Sequence, residues 1–406
     1  MLQFTNAAAG LTQKFKSVMK KLYPVLTLLF TTLFISFALT TSSISAQNLS
    51  FETENEWGLD VTGALPVFLV ASSHDGFDAN GDDQFATRVM SGFNPGNITF
   101  TAHAPTQNGV DVSAVFQINH HLHGPSIQND GLFEGRIADI IIAGDFGTIN
   151  AGKGFGIFNS SSIGDAGSGM GVGRFAGPDA ADATLGRIGS GYTYANFNPR
   201  VTYTTPDLGG FSLKAGLINP EKPGGGSSDI ETPAPRLEAQ VDYTFNLNGS
   251  AIHVWAGGLY QNVDVVDENF DFNLSGWDTG LRVTLSGLTV TGSYSETKSI
   301  GADGLIGINI SGGSALDQAD VDGSQWYTEA TYNFDRLLLG ASYGEGHQDE
   351  NTTPVGAAQE VTNELLMGFA RYRVTDNLTL MAEAQTFASQ SQADYSALIL
   401  GTQITF

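Results

Sequence analysis

Apolar and polar residues alternate strictly along several runs of this chain, and this pattern restricts the fold more than any other feature. In residues 237–247 every odd position is apolar and every even position is polar. Residues 281–286, 288–295 and 378–385 repeat the alternation. A period of two is that of a β-strand with one apolar and one polar face. The chain is therefore predicted to be all-β from about residue 57 onward.

The last strand-like run reaches the end of the sequence. Counting back from Phe406 in steps of two gives Ile404, Thr402, Leu400 and Leu398 on one face. The final residues of a soluble domain usually fray, so a strand that ends on an aromatic residue is unexpected there. It is typical of bacterial outer-membrane barrels, in which the assembly machinery reads the terminal aromatic. Phe406 is accordingly predicted to be an assembly signal.

The N-terminus has the order of charges and apolar residues found in a secretory signal peptide. Four lysines precede the apolar run 22–39, and a stretch of small residues ends at Ala46. Residues 1–46 are therefore predicted to be a cleaved signal peptide, and residues 47–406 to be the mature domain. An uncleaved anchor helix is the alternative, and Met19 is a second candidate start.

Alternation alone would also fit a soluble β-sandwich with one wet face. A transmembrane barrel is favoured because the chain is exported and because Trp and Tyr recur near strand ends, as in an interfacial girdle. Each run has about ten residues, the length with which a tilted strand crosses a bilayer. In hydrocarbon such strands must close on themselves, so the predicted fold is a closed antiparallel transmembrane β-barrel.

The connections alternate between tight turns and long polar loops. Long loops are predicted at 72–84, 120–131, 219–235, 264–276, 299–324 and 344–362. Barrels have short periplasmic turns and long extracellular loops, and the spacing predicts about sixteen strands in a single domain.

Composition excludes several classes of function. The formal net charge is -24, and the first 46 residues carry four lysines and no acids, so the mature domain is more acidic still and does not suit nucleic-acid binding. The chain has no Cys, which excludes disulfides and thiol-ligated metals. The acidic runs 78–83 and 320–323 resemble calcium loops but have Gly76 and Gln318 where the first ligand should be. Solvated loops and bound Ca²⁺ both remain open for them.

Four stretches carry a resemblance to a known family: 108–117, 132–136, 144–154 and 198–217. Their order and spacing resemble the strands of Gram-negative general porins. The resemblance implies a homotrimer of sixteen-stranded barrels in the outer membrane, in contact with lipid and lipopolysaccharide after insertion by the barrel assembly machinery. Each barrel would hold a water-filled channel for passive diffusion of small hydrophilic solutes and ions.

In that family the third extracellular loop folds inward and narrows the pore, and here it would span about 155–196. Its many glycines permit tight folding, although a flexible Gly/Ser linker is the alternative. Phe155, Phe158, Phe175 and Leu185 favour packing against the wall.

The resemblance also implies a constriction with a basic wall opposite an acidic loop. Motif by motif, the wall residues would be Arg88, Lys153 and Arg200, with Arg136 as a weaker match. The candidate loop acids are Asp165, Asp179 and Asp182, and which of them faces the lumen stays open. Facing charges across a narrow aqueous pore orient dipolar solutes and set ion preference, but the sign of that preference stays open.

Two other classes of function compete with a diffusion channel. A barrel enzyme would need a nucleophile and base at the rim, but no nucleophile motif accompanies the cluster of His120, His121 and His123. The protein is therefore predicted not to be an enzyme, and no cofactor is expected apart from calcium in the acidic loops. A substrate-selective porin with a binding track and a plugged structural barrel are the remaining alternatives.

Overall fold

The structure is a computed structural model that describes residues 49–76, 81–122, 133–175, 183–223, 229–247, 249–306 and 314–406. The predicted signal peptide lies outside the described residues, as do Asp179 and Asp182. Most of the described backbone is strand. The strands that form the wall are β2 (Gly58–His74), β3 (Gln84–Met90), β4 (Gly96–His103), β5 (Asp111–His120), β6 (Phe133–Gly144), β7 (Gly147–Phe155), β8 (Phe197–Thr204), β9 (Phe211–Ile218), β11 (Arg236–Leu247), β12 (Ser250–Val265), β13 (Phe270–Leu285), β14 (Leu288–Lys298), β15 (Asp322–Phe334), β16 (Leu337–Gln348), β19 (Val361–Arg373), β20 (Leu378–Ser389) and β21 (Tyr395–Thr405).

Short elements complete the described backbone: β1 (Leu49–Glu52), β10 (Ile230–Glu231), β17 (Asn351–Thr352), β18 (Ala357–Ala358), a helical turn at Ala166–Gly169, and 3₁₀ turns at Val266–Glu268 and Ala315–Gln318. β10 continues the line of β11 by pairing with the end of β12. β17 and β18 form a separate hairpin.

The wall is an antiparallel sheet that closes on itself. β2 pairs with β21 from Ala64 opposite Thr405 to His74 opposite Tyr395. On its other side β2 pairs with β3 along its second half and with β4 along its first half, so β3 and β4 share one strand position. Counted in this way, the described strands make a barrel of sixteen positions. The predicted closed antiparallel barrel is confirmed, and closure leaves no unpaired edge in the hydrocarbon.

The C-terminal residue is tied into this closure. The Phe406 amide donates to the Gly63 carbonyl at 3.0 Å, and the Gly63 amide donates back to Phe406 at 2.7 Å. A Cβ on Gly63 would lie 2.5 Å from the Phe406 ring, so only glycine leaves room for the aromatic side chain there. The assembly role of Phe406 remains a prediction.

Side chains alternate between the outside and the lumen as the sequence pattern predicts. On β11, Val241 and Phe245 face outward and are exposed, whereas Glu238 and Gln240 face the lumen and are buried. The register places Val241 between Leu213 and Ala256, so apolar residues of neighbouring strands form a continuous outer surface. No helix within the described residues is long and apolar enough to cross a membrane.

The connections differ in length at the two rims. At one rim, β6 and β7 are joined by two residues, as are β13 and β14. At the other rim, β7 and β8 are joined by residues 156–196, and β14 and β15 by residues 299–321. The long loop predicted at 264–276 is wrong, since β12 and β13 are joined by residues 266–269 alone. Phe272 and Leu274 continue the alternation inward and are buried, which keeps this segment in the sheet.

Reversing the polarity of the outer face should disrupt the barrel. Leu281 on β13 faces outward and is exposed, whereas Thr284 on the same strand faces the lumen. Leu281→Arg is expected to reduce the free energy of unfolding by about 2–4 kcal/mol, the cost of a cation on the lipid face near the midplane. Thr284→Arg is the matched control and should cost much less. Urea titration of folding into lipid vesicles measures both, and equal losses would contradict the assigned faces.

Candidate pore constriction

Residues 156–196 connect β7 to β8, and we call this connection the constriction loop. Its described parts, 156–175 and 183–196, lie inside the barrel. Near its start, the amides of Ile157 and Phe158 donate to Glu238 on β11. Further along, the Phe175 amide donates to the Tyr395 hydroxyl on β21 at 2.9 Å. β11 and β21 lie far apart around the wall, so the loop extends across the lumen from one to the other.

Three buried glutamates of the wall hold the loop by its backbone. Glu238 accepts the Ile157 amide at 2.5 Å and the Phe158 amide at 3.1 Å. Glu329 on β15 accepts the amides of residues 166 and 167 at 2.7 and 2.9 Å. Glu383 on β20 accepts the amide of residue 172 at 3.2 Å. These contacts satisfy both partners. The buried carboxylates accept hydrogen bonds, and the loop N–H groups, which would otherwise bond to water, gain acceptors.

Aromatic side chains fix the same loop to the wall. Phe158 and Phe175 are fully buried. Phe175 packs in a cluster with Phe68, Met90 and Phe387, all on inward-facing positions of the wall. The packing favours a fixed loop over the flexible Gly/Ser linker that the sequence left open, because flexible linkers do not bury aromatic anchors.

The described part of the loop contributes its own cations to the interior. Arg174 and Arg187 are both fully buried. Arg174 donates to Asp303 at 3.2 Å, and Arg187 donates to the Leu365 carbonyl at 3.3 Å. The resemblance implied cations on the wall and acids on the loop. Here the loop also carries buried cations, and the wall carries buried acids as well as arginines.

Asp165 does not face open water. It is buried, its Oδ2 accepts the Ser168 amide at 2.8 Å, and it lies 3.8 Å from Arg187 Nε. Burial, and after it the Asp165 carboxylate, raise the pKa of Tyr192 well above its ordinary value, so the phenol stays neutral and donates to Asp165. Asp165 therefore organises the packing of the loop. It is the one candidate loop acid within the described residues, and it does not face the open lumen.

Arg200 lies on the lumen side of β8 and forms an ion pair that the sequence did not predict. Its Nη2 lies 2.9 Å from Asp139 Oδ2, and the side-chain Nδ2 of Asn150 donates to that same oxygen at 3.0 Å. A Cβ on Gly154 would lie 2.2 Å from Arg200 Nη2. Glycine at this position is what allows the guanidinium to lie flat against β7.

Arg88 and Arg136 occupy separate places on the wall. Arg88 stands over the Phe175 ring at 4.8 Å, and its Nη2 donates to the Ser72 hydroxyl at 3.4 Å. Arg136 Nε donates to Glu134 at 2.8 Å, and its guanidinium lies 5.6 Å from the Phe197 ring. Arg88 thus contacts the far end of the constriction loop, whereas Arg136 belongs to a cluster with Glu134.

Lys153 does not join these residues. The register sets it opposite Ala138 and Pro199, while its neighbour Gly152 pairs with Asp139 and Arg200. Successive strand residues point to opposite faces, so Lys153 faces outward, where it is exposed. The motif match was one residue away from the lumen face, and Lys153 is removed from the predicted basic wall.

The wall glutamates carry a weak sequence signal. Each occupies an inward-facing position of an alternating strand, and strand alternation predicts only that such a residue faces inward. Which inward acid accepts loop amides depends on the path of the loop across the lumen, which has no periodic sequence pattern.

A sixteen-position closed barrel with an exposed apolar outer face and an inward loop defines a transmembrane channel of the porin class. The sequence profile described as Gram-negative porin matches residues 32–392, which is most of the chain. The chain therefore belongs to the Gram-negative porin family, and it forms an outer-membrane channel for passive diffusion. Among curated protein sequences, none matches this chain.

Solved structures share the fold at low sequence identity. The outer membrane channel DcaP of Acinetobacter baumannii superposes with a TM-score of 0.64 at 14% identity, covering 88% of this chain and 99% of that one. The anion-selective porin from Comamonas acidovorans gives 0.61 at 12% identity, covering 86% and 100%. OmpT of Vibrio cholerae in its trimer form gives 0.53 at 15% identity, covering 86% and 99%.

Removing a wall acceptor should loosen the constriction loop. Glu329→Ala deletes the acceptor of two loop amides, and hydrogen bonds to a charged group contribute about 1.5–3 kcal/mol each. We expect larger fluctuations of the open-channel current and a lower unfolding temperature. Glu296→Ala is the matched control, since Glu296 is exposed on the outer face of β14. Single-channel recording measures the fluctuations, and equal noise in both variants would contradict the tethering role.

Proposed function

We propose that the protein assembles as a homotrimer in which each barrel carries its own path for small hydrophilic solutes and ions. The described part of the constriction loop forms hydrogen bonds with β11, β15, β20 and β21, so we place the passage along the opposite strands, β4 to β9, and call these the free side. That side presents polar groups inward, among them Thr99, Gln117, Asn150 and Lys214. The polar free wall is the observation that carries the proposal, because small polar solutes exchange water for such groups readily.

The proposed solute filter consists of two charged sites on the wall. The first is the Arg200–Asp139 ion pair on the free side, and the second is Arg88 beside the described end of the constriction loop at Phe175. Opposite charges at a narrow point create a transverse field that orients dipolar solutes and hinders apolar ones, which cannot replace ordered water.

Trimeric assembly is supported by the fold that the chain shares with the trimer form of Vibrio cholerae OmpT. Contact with lipopolysaccharide, insertion by the barrel assembly machinery and calcium in the acidic loops are further proposals. Among these loops, Asp320 forms an ion pair with Lys298 at 2.7 Å.

We also propose that the protein has no enzymatic activity. Ser72 and His74 form a hydrogen-bonded pair at 2.9 Å, the arrangement that a hydrolase would use. Both side chains are buried, and the rings of Phe175 and Tyr395 pack against His74. A solute in the lumen would not reach this serine.

Reconstitution into planar bilayers tests the channel and its assembly together. We expect stepwise conductance increases in groups of three, because three barrels insert as one unit. Single steps would contradict the trimer, and a protein that folds but remains silent would contradict the open passage. Block by one class of sugar would favour a substrate-selective porin instead.

The charge of Arg200 should influence ion selectivity. Arg200→Gln leaves Asp139 as a net negative group at the free wall, so the reversal potential in a salt gradient is expected to shift toward cation preference. Arg200→Gln combined with Asp139→Asn should return it close to wild type. Lys153→Gln is the control that removes an outward-facing cation from the next strand, and it should cause no shift. A comparable shift for Lys153→Gln, or none for Arg200→Gln, would contradict the proposed filter.

A further inference from the structure

The connection between β14 and β15 also enters the barrel. Every residue of its first part, 299–306, is buried. Ile300 and Ile306 pack with Phe158 of the constriction loop. Leu305 packs with Ile188 of the same loop. A solvated extracellular loop, which the polar sequence of this region predicted, would expose these side chains instead.

This segment is bonded to both the wall and the constriction loop. The Ala302 amide donates to Gln348 on β16 at 2.7 Å, and Asn363 on β19 donates to the Ala302 carbonyl at 3.1 Å. Toward the loop, the Tyr194 amide donates to the Gly304 carbonyl at 2.7 Å. Residues 299–306 therefore lie between the wall and the constriction loop and contact both.

A buried ion pair joins the two inward elements. Arg174 of the constriction loop donates to Asp303 at 3.2 Å, and both side chains are almost fully excluded from solvent. The Arg174 guanidinium also lies 5.0 Å from the Phe387 ring on β20 and donates to the Ile188 carbonyl at 3.1 Å. A charge taken out of water in this way depends on its partner, so loss of Asp303 would leave a strong driving force to let water in.

We propose that residues 299–306 are a second constriction element, held in place by the Asp303–Arg174 pair, and that the two inward elements together set the upper size limit for solutes. This inference rests on the proposed diffusion function. Asp303 is a positioning residue here: it holds the segment against the loop and need not touch the solute.

Replacing Asp303 tests the proposal through solute size. Asp303→Asn keeps the shape and removes the charge, and we expect a higher single-channel conductance. Liposome swelling with a trisaccharide should increase relative to swelling with a monosaccharide. Asp320→Asn is the matched control, since it breaks the exposed ion pair with Lys298 beside the same segment. It should leave both measurements at the wild-type level.

A reversible cross-link separates displacement of the segment from general destabilisation. Tyr194 and Leu305 are partners in a parallel β-bridge. Paired strands lie about 4.7–4.9 Å apart, and a disulfide requires about 4.4–6.8 Å between Cα atoms. The chain has no other thiol. The variant Tyr194→Cys, Leu305→Cys, Asp303→Asn should conduct like the wild type when oxidised and show the enlarged conductance after reduction in the membrane.

The outcomes are distinguishable. Wild-type conductance and sugar discrimination in Asp303→Asn and in the reduced triple variant would overturn the second constriction, even while the wild type conducts. An enlarged conductance that oxidation fails to reverse would overturn it as well. If Asp303→Asn does not insert alone, the triple variant is inserted oxidised and then reduced. A wild type that inserts but conducts nothing would refute the diffusion function itself.

Discussion

Backbone hydrogen bonding in hydrocarbon is the constraint on which the rest of this structure depends. No water is present there to satisfy an exposed amide or carbonyl, so the strands must pair on both sides until β21 meets β2. Closure encloses one face of every wall strand. Any chain that enters the enclosed space brings its own amides and carbonyls, which again need partners. The described part of the constriction loop has little regular structure, so several of its backbone groups form hydrogen bonds with side chains of the wall instead.

The polarity of those wall groups follows from the chemistry of a loop. Loop amides that are not paired within the loop are donors, and a carboxylate can accept several of them at once. Glu238 and Glu329 each accept two amides of the constriction loop. Two of the wall glutamates also neutralise buried cations. Glu383 pairs with Arg371 at 2.7 Å, and Glu238 pairs with Arg236 at 2.7 Å. Acids and arginines thus neutralise one another inside the barrel while the loop is held.

Strand alternation predicts the class of fold because it is a local property, whereas the site depends on register and on the path of loops. The two-residue alternation of polarity was sufficient to predict the wall. It extends through Phe270 and Leu274 of β13, but the polar residues between and beside them led to the prediction of a loop there. The motif match that placed Lys153 on the basic wall was displaced by one residue. Because adjacent strand residues face opposite ways, Lys153 faces outward and not into the lumen. Asp165 is buried by contacts with Arg187 and Tyr192 of its own loop. Such contacts are not periodic, so no sequence pattern predicts them.

The strong net negative charge of the chain is a poor guide to its ion preference. Glu238 pairs with Arg236, and Glu383 pairs with Arg371. Asp303 likewise pairs with Arg174. Because opposite charges in contact largely cancel, these three acids add little to the field that a passing ion meets. Other acids lie in exposed loops, where salt screens them beyond about 8–10 Å. The field at the passage is set by the few charges left in contact with luminal water. Among these, Asp242 is half-buried beside His253 on the wall, and Arg282 reaches across to carbonyls of the constriction loop. Selectivity is therefore a matter of local balance between such groups, and an acidic porin can carry a passage of either preference.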